Sequence, residues 1–324
     1  MMDRPVRWGI LGAANIARQQ MIPAILQSTN GAIQAIASKS GKAQAFAEEF
    51  TIPTVLTDYE ALLQLEEIDA VYIALPNSLH KEWIDKAIVA GKHVLCEKPI
   101  VLEAHELAEI FVAADRRKVH VMEAFMYRFH PQMIEARKLL EAGVIGEPLT
   151  IRSRFHFTME DWQQDIRMQS ALGGGVLWDI GGYCLNVMLH LMGEEPAEIH
   201  VMQGKKQQVD THIAFQLRFP NDVLGMADCS FYGPMTNDVD IIGTKGTMQL
   251  PHAFRPDLNE DVGVIRIHME EGLQQFEWAG NSYVAQVNAF QEAILANVPL
   301  AYTQQQMLQQ SRMLQKLVEQ LKTS

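Results

Sequence analysis

Cysteine is scarce in this sequence, and basic residues are fewer than acidic ones. Of the 324 residues only three are cysteines, Cys96, Cys184 and Cys229. They lack metal-ligand spacing, so the sequence predicts a reducing compartment, no disulfide framework and no metal site. Lys and Arg number 27 against 39 Asp and Glu, which gives a net charge of -12. This balance argues against a nucleic-acid partner, because phosphate binding needs a basic surface.

Long apolar runs are also missing. No segment reaches the length of a membrane span, and residues 1–9 have no apolar signal-peptide region. We therefore expect a cytoplasmic protein. A chain of 324 residues exceeds what one compact core usually holds. The pattern changes near residue 125, which predicts a dinucleotide-binding domain at 1–124 and a second domain at 125–324, for substrate and for oligomerisation.

Short apolar strands alternate with helices through the first part of the chain. Strands are predicted at 6–11, 32–37, 69–75 and 119–124, with one more around Val94 and Leu95. Helices are predicted at 43–50, 59–64, 81–90 and 103–116. This alternation predicts an α/β fold with a doubly wound parallel sheet of the Rossmann type.

The turn after the first strand has part of a dinucleotide-binding fingerprint. Gly12 permits a tight turn, and the helix that follows directs its first amides at a phosphate. Ala14 and Ala17 stand where the usual fingerprint has its second and third glycines. An ordinary strand-to-helix turn remains the alternative at this stage.

The end of the second strand bears on the choice of cofactor. A carboxylate here would bind the ribose 2′-hydroxyl of NAD and repel the 2′-phosphate of NADP. Residues 31–47 contain no Asp or Glu, whereas Ser38, Lys39, Ser40 and Lys42 are present. Because charge-assisted bonds to phosphate are strong, we predict NADP, with NAD as the second choice. A solvated helix start is the alternative explanation for the two lysines.

The segment Glu97-Lys98-Pro99 follows a buried strand directly. Pro99 stops the strand and biases Lys98 towards extended backbone. In an open parallel sheet, ligands bind beyond the carboxyl ends of the strands. Lys98 is therefore a candidate catalytic residue, although taken alone it would be read as a solvated lysine.

A second candidate segment begins with three glycines, Gly173 to Gly175. The glycines let the chain pass close to another group. Asp179 and Tyr183 follow four residues apart, a spacing that places them on one face of a helix. The alternative is a glycine-rich helix start with an acid that favours the helix dipole.

The second domain has several strand patterns in succession. Strands are predicted at 149–157, 211–219, 223–231, 239–242, 247–250, 264–269 and 273–278, and helices at 132–140, 283–295 and 304–321. Consecutive strands predict an α+β domain with an open, mostly antiparallel sheet. Strand 211–219 buries one face, and its other face is available to solvent or a second subunit. We therefore expect a homo-oligomer, a dimer or a dimer of dimers.

With these segments in place, the chain resembles the glucose-fructose oxidoreductase / inositol dehydrogenase / rhizopine-catabolism (Gfo/Idh/MocA) family over nearly its whole length. Glu97-Lys98-Pro99 is the most specific marker. The segment from Glu123 to Gln132 is similar to the branch of dimeric dihydrodiol dehydrogenases and NADP-linked xylose dehydrogenases. Tyr183 stands where the family's inositol dehydrogenases have His.

The resemblance implies a set of cofactor-binding residues. They are Gly12, Ala13, Ala14, Asn15, Ile16, Ser38, Lys39, Leu75, Pro76, Asn77, His80, Glu97, Lys98, Arg128, Trp162, Arg167 and Tyr283. Lys42 is added to this set because it lies in the segment after the second strand that favours NADP.

The implied activity is hydride transfer between a nicotinamide and a hydroxyl or carbonyl carbon of a sugar, polyol or dihydrodiol. Tyr183 is the predicted general acid/base. A free phenol titrates near ~10, and a neighbouring Lys98 would favour the phenolate. Asp179 would orient the substrate hydroxyl or Lys98. A non-catalytic sensor of the same fold and a zinc alcohol dehydrogenase are the alternatives; the sensor would lack the lysine and its partner, and the zinc enzyme would need ligand spacing.

Overall fold

The computed structural model describes residues 4–160, 162, 165–206 and 208–323. The chain forms two compact units, Met1–Met126 with Tyr283–Leu308, and Tyr127–Ser282 with Gln309–Ser324. These units differ from the predicted division at residues 283–308, which group with the first unit. Within the described ranges, no helix has both the length and the apolar character needed to cross a bilayer.

The first unit contains a six-stranded parallel sheet. Its strands are β1 (Val6–Leu11), β2 (Gly31–Ala37), β3 (Thr54–Leu56), β4 (Ala70–Ile73), β5 (His93–Cys96) and β6 (Val121–Glu123). The spatial order is β3-β2-β1-β4-β5-β6, and each neighbouring pair is parallel. Every residue of β4 is buried, as expected for a sheet covered on both faces. The predicted Rossmann fold is confirmed.

Helices connect these strands at nearly the predicted positions. They are α1 (Ile22–Gln27), α2 (Ala43–Phe50), α3 (Tyr59–Leu63), α4 (His80–Val89) and α5 (Ala104–Arg117). Helix α2 coincides with its predicted range, and Gly91 lies just beyond α4 with a φ of 72°. Ahead of α1 the chain forms a π-helical turn, Ala17–Met21, which a 3.6-residue pattern does not reveal.

The second unit is built on an eight-stranded sheet. Its elements are α6 (Pro131–Glu141), β7 (Pro148–His156), α7 (Gly182–Met192), β8 (Glu198–Lys206), β9 (Val209–Arg218), β10 (Leu224–Ser230), β11 (Thr236–Gly243), β12 (Gly246–Leu250), β13 (Val262–Met269) and β14 (Gly272–Ala279). The order is β14-β13-β12-β11-β7-β10-β9-β8, antiparallel except for the β7–β10 pair. The mostly antiparallel sheet is confirmed, and β8 is an additional strand.

Alternation along β9 shows which face of this sheet is the core. Ile213, Phe215 and Leu217 are buried, whereas His212 and Gln216 on the other face are exposed. Helix α7 lies on the buried side, where Sγ of Cys184 is 3.5 Å from Sγ of Cys229. All three cysteines are buried and free.

Two helices close the chain, α8 (Ser282–Ala296) and α9 (Gln304–Thr323). In the first unit the rings of Phe290 and Trp8 lie 5.7 Å apart, which anchors α8 against the parallel sheet. In the second unit Nε2 of Gln310 donates to the carbonyl of Gly182 at 3.0 Å, at the start of α7.

A pair of histidines gives the first unit a predictable acid sensitivity. Nδ1 of His93 accepts the backbone N–H of His120 at 2.9 Å, so this nitrogen carries no proton. Burial, followed by the neighbouring His120, lowers the pKa of His93 from 6.5 to about 4. Between these two values the unfolded chain binds a proton that the folded chain does not. The free energy of unfolding therefore falls as the pH drops, by about 3 kcal/mol.

Urea unfolding of wild type and His93→Gln between pH 7 and pH 4 measures this effect. The variant is expected to lose less stability over the interval, because glutamine does not titrate. His105→Gln, at an exposed histidine of α5, is the matched control and should keep the wild-type slope. Equal slopes for wild type and His93→Gln would contradict the assignment.

Candidate active site

The parallel sheet collects most of the predicted cofactor residues at one edge. In the order β3-β2-β1-β4-β5-β6, connections from β1 and β4 leave in opposite directions, which makes the carboxyl ends of these strands the switch point of the fold. Residues 12–16 follow β1, 38–42 follow β2, 75–77 follow β4, and Glu97 and Lys98 follow β5. All four segments therefore lie at the same edge of the first unit.

The turn after β1 explains why residue 12 is glycine. Gly12 has a φ of +101°, and a Cβ atom there would lie 2.4 Å from the carbonyl oxygen of Ala74. The close approach is thus to the end of β4, and the backbone N–H of Gly12 donates to Ala37 at 2.9 Å. Ala13, Ala14 and Ile16 are half-buried and Asn15 is exposed. The turn leaves backbone beside the switch point, as a pyrophosphate requires.

The segment after β2 offers hydroxyl and ammonium donors. The Ser38 and Ser40 hydroxyl oxygens are 2.8 Å apart, and Ser38 is buried. Lys39 Nζ lies over the Tyr59 and Trp83 rings, 5.2 and 5.6 Å from their centroids. Lys42 is exposed and precedes α2. This donor set fits the phosphate of NADP, because cations and hydroxyls are the groups that bind phosphate.

The His80 side chain lies between the segments that follow β4 and β5. Its Nδ1 lies 2.7 Å from the carbonyl oxygen of Pro99, and its Nε2 lies 2.9 Å from that of Leu75. The side chain is fully buried, and burial lowers its pKa, with the two carbonyls acting in the opposite direction. Both ring nitrogens thus lie against backbone carbonyls, and the neutral ring donates its one N–H to one of them. His80 links the segments that carry Asn77 and Lys98, and any effect on a cofactor passes through them.

Replacing His80 with phenylalanine is expected to lower the free energy of unfolding by about 1–3 kcal/mol, because the buried carbonyl that accepts from the ring loses its hydrogen-bond donor. The affinity for NADP should also fall, because the loops after β4 and β5 are no longer connected by the His80 side chain. Thermal unfolding and titration calorimetry measure the two quantities. His105→Phe changes an exposed histidine of the same unit and should alter neither. Unchanged stability in His80→Phe would contradict this role.

Carboxylates anchor the chain on both sides of Lys98. The Tyr72 hydroxyl donates to Oε1 of Glu97 at 2.5 Å. Burial raises the pKa of Tyr72 well above its usual value, and the charges of Glu97 and Tyr283 add to this. After Lys98, the backbone N–H of Ile100 donates to Oε1 of buried Glu123 at 3.0 Å. Lys98 is half-buried between these anchors, and its peptide bond to Pro99 is cis.

In the second unit, the glycine run makes a close backbone contact. The N–H of Gly175 donates to the carbonyl of Arg167 at 2.8 Å, and a Cβ on Gly174 would lie 2.5 Å from that oxygen. Gly175 has a φ of +122°, and a Cβ there would lie 2.3 Å from Oδ1 of Asp210. Half-buried Asp210 accepts the N–H of Leu177 at 2.7 Å, at the start of the next helical turn. The glycines thus seat this helix against Arg167 and Asp210.

Asp179 and Tyr183 lie at the junction of two kinds of helix. Asp179 is in the π-helical turn Leu177–Gly181, and Tyr183 is in the first turn of α7. The expectation that a four-residue spacing places them on one face assumed a regular α-helix. A π turn bonds residue i to i+5, and such turns are frequent at functional sites.

Nε of Arg167 donates to Oδ2 of Asp179 at 2.7 Å, and its Nη1 donates to Asp165 at 3.0 Å. The charge of Asp179 raises the pKa of Arg167. The Tyr183 ring packs against the rings of Tyr127, Phe155 and Phe254, at centroid distances of 5.9, 5.5 and 5.4 Å. An acid and a phenol are thus held by an ion pair and an aromatic cluster.

The remaining predicted residues have varied surroundings. Arg128 is buried, and its Nη1 donates to Asn186 on α7 at 3.2 Å. The Trp162 ring stacks on Tyr232 at 4.1 Å. Tyr283 is buried at the start of α8 in the first unit.

Sequence reasoning did not find the supporting roles of Tyr72, Glu123 and Asp210. All three are strand residues, of β4, β6 and β9. A polar residue inside a buried strand is a usable signal, because such groups need partners. No group of three or more His, Cys, Asp or Glu that could hold a metal occurs in the described ranges.

Comparison with known proteins covers both units. The family model for the oxidoreductase family with an NAD-binding Rossmann fold matches residues 6–125, and the GFO/IDH/MocA C-terminal domain matches 133–249. D-xylose 1-dehydrogenase (NADP(+)) 2 of Haloferax volcanii is 36% identical over 252 residues, 77% of each chain. The chain belongs to the GFO/IDH/MocA oxidoreductase family.

Two further comparisons agree with membership of the GFO/IDH/MocA family. Trans-1,2-dihydrobenzene-1,2-diol dehydrogenase of Mus musculus is 32% identical over 78% of this chain and 76% of its own. A 3-ketoreductase of Actinomadura kijaniata, solved with NADP and TDP-benzene, superimposes with a TM-score of 0.89 at 30% identity and covers 98% of both chains. The predicted family and the predicted oxidoreductase class are confirmed.

Proposed function

We propose that this protein transfers a hydride reversibly between NADP and a hydroxyl-bearing carbon of a sugar, a polyol or a dihydrodiol. The observation that carries this proposal is the arrangement at the carboxyl edge of the parallel sheet. Phosphate donors after β2, backbone after β1 and β4, and Lys98 after β5 lie at one edge. Related proteins named for NADP, xylose and dihydrodiols support the same chemistry.

The cofactor residues divide by the part of NADP that they suit. Ser38, Lys39 and Lys42 bind the 2′-phosphate, and residues 12–16 receive the pyrophosphate on backbone amides. Leu75, Pro76, Asn77, Glu97 and Lys98 line the edge beyond β4 and β5. The family resemblance adds Arg128, Trp162 and Tyr283 as further cofactor contacts. His80 acts through the loops it joins. When bound, NADP supplies the hydride acceptor or donor at its nicotinamide.

The protein's own residues move the proton. In the oxidation, a C–H bond of the substrate breaks as a hydride leaves, the hydroxyl O–H bond breaks, and a carbonyl forms. Tyr183 takes the hydroxyl proton and passes it to solvent; in the reduction it returns a proton to the new alkoxide. Lys98 polarises the substrate oxygen. Asp179 orients the substrate by accepting a hydrogen bond from a second, neighbouring hydroxyl.

A substrate screen tests this function. Absorbance at the reduced-nicotinamide band is followed with aldoses, anhydro-sugars, inositols and dihydrodiols, each with NADP and NAD in parallel. Turnover with at least one class, and a higher kcat/KM with NADP, is expected. A protein that binds NADP tightly but turns over none of these classes would instead be the non-catalytic sensor.

We also propose that the protein works in the cytoplasm as a homodimer formed through the open face of the eight-stranded sheet. Met202 on this face is 70% exposed, and it lines a shallow surface pocket together with Arg154 and Asp228, which have opposite charges. Arg154 pairs with Asp238 at 3.3 Å, and His156 pairs with Asp228 at 2.5 Å. A surface with both signs interspersed can pair with a copy of itself.

The molar mass in solution tests this assembly. Met202→Asp places a charge on the open face at the edge strand β8 and is expected to convert the dimer into a monomer, as measured by light scattering. Val89→Asp, at a 66% exposed position of the first unit, is the control. A dimer that survives Met202→Asp would remove this face as the interface.

A further inference from the structure

Arg167 makes an unusual set of contacts for a side chain that is 43% exposed. Its Nε donates to Oδ2 of Asp179 at 2.7 Å, and its Nη1 donates to Oδ2 of Asp165 at 3.0 Å. The guanidinium carbon also lies 5.9 Å from the centroid of the Phe157 ring. Two carboxylates and one aromatic face therefore hold one guanidinium in place.

The backbone around Arg167 is as firmly held as its side chain. Oδ1 of Asp165 accepts the N–H of Arg167 at 2.8 Å, so Asp165 binds both the main chain and the guanidinium. The carbonyl of Arg167 accepts the N–H of Gly175 at 2.8 Å. A side chain at Gly174 would collide with that carbonyl at 2.5 Å. The glycine run is thus required for Arg167 to lie against the turn that carries Asp179.

Burial separates this ion pair from an ordinary surface pair. Exposed pairs contribute little, because water screens both charges. The Asp179 side chain is only 13% exposed, so its charge is largely removed from water. Without a cation beside it, such a carboxylate would favour its protonated form. The pair with Arg167 therefore stabilises the ionised form of Asp179.

We propose that Arg167 is a positioning residue that fixes the side-chain orientation and the negative charge of Asp179. This proposal rests on the proposed function and refines it. Held in this way, Asp179 acts as a hydrogen-bond acceptor for a substrate hydroxyl and does not donate a proton. Arg167 then acts through Asp179, and the cofactor contact predicted for it from the sequence is the competing role.

The first test needs no turnover. Carbon-13 labelling of aspartate carboxylates, with Asp179→Asn to assign the resonance, follows the titration of Asp179 by NMR. Arg167→Met is expected to raise the pKa of Asp179 by about one unit or more, and Arg167→Lys to raise it less. Asp165, Asp210 and Tyr183 are also ionisable and belong to the described surroundings of this turn, and they are unchanged in these variants. An unshifted titration in Arg167→Met would overturn the proposal.

The second test separates positioning from cofactor binding. Arg167→Met is expected to raise the substrate KM about tenfold or more and to leave the Kd for NADP within about twofold, since only uniform substrate binding is lost. Arg167→Lys should restore part of the loss. In an Asp179→Asn background, Arg167→Met should have little further effect. A Kd for NADP that rises in step with KM, or fully additive effects, would assign Arg167 to the cofactor.

Arg137→Met is the matched control. Nε of Arg137 donates to Glu141 at 2.8 Å, a similar arginine–carboxylate bond on the solvent-facing side of α6 in the same unit. This variant should keep wild-type KM and Kd. Failure of the proposed function and failure of the positioning role give different results. A wild-type protein that turns over no substrate class contradicts the proposed function. The NMR titration tests the role of Arg167 without any turnover.

Discussion

Replacing Lys98 with methionine is expected to lower kcat by about 10³-fold, within the range that proton-transfer groups contribute. Methionine keeps a flexible apolar stem and removes the ammonium. The anchors on either side of Lys98, the Tyr72–Glu97 bond and the Glu123–Ile100 bond, do not use its side chain. The fold at the end of β5 should therefore survive, and the loss should lie in the chemical step.

The measurement is kcat at saturating NADP and substrate, together with the Kd for NADP by titration calorimetry. Lys81→Met in α4 makes the same chemical change in the same unit, at a lysine that pairs with Asp85, and should keep wild-type kcat. If Lys98→Met retains more than about a tenth of kcat, Lys98 is not a catalytic residue, because a group that moves or stabilises charge in the reaction contributes more than that.

The location of this lysine was accessible from the sequence because it depends on local signals. A buried apolar strand, followed at once by Glu97, Lys98 and Pro99, fixes where β5 ends. Parallel strands leave their carboxyl ends at one edge, so the β–α alternation also places residues 12–16 and 38–42 beside Lys98. These inferences need only residue order and periodicity.

Features that depend on tertiary packing were not accessible in the same way. The sequence predicts a helix at 283–295, but not that residues 283–308 join the first unit, where the ring of Phe290 packs against Trp8. The turn Leu177–Gly181 looks α-helical in sequence, since one extra residue per turn leaves no compositional mark. Strand β8 contains Gly204 and few strand-favouring residues, and its pairing with β9 decides its conformation.

The glycine run, Gly173 to Gly175, combines a feature that the sequence predicts with one that it does not. Three consecutive glycines predict a close approach, and the structure has one. The partner is the backbone of Arg167 together with Asp210, and sequence separation conceals this. Close approach is a local requirement that composition records, whereas the identity of the approached group is a property of the folded chain.

Replacing Tyr183 with phenylalanine removes a single oxygen from the second unit. The ring contacts with Tyr127, Phe155 and Phe254 do not involve the hydroxyl, so the start of α7 should keep its place. We expect kcat to fall by about 10²–10⁴-fold, because the proton must then leave without a positioned acceptor. The Kd for NADP should stay within about twofold of the wild-type value. The phenol acts on the substrate, and the variant loses only an interaction made in the transition state.

Stopped-flow absorbance with substrate deuterated at the reacting carbon separates chemistry from product release. In Tyr183→Phe the hydride step becomes slow, so a primary deuterium isotope effect should appear on kcat, and the dependence of kcat on pH should flatten. Tyr127→Phe is the contrast from the same aromatic cluster. Its hydroxyl donates to Asn186 at 2.6 Å, so this variant should lose thermal stability and keep its pH profile. A Tyr183→Phe protein with wild-type kcat and pH profile would transfer the role of acid and base to another group.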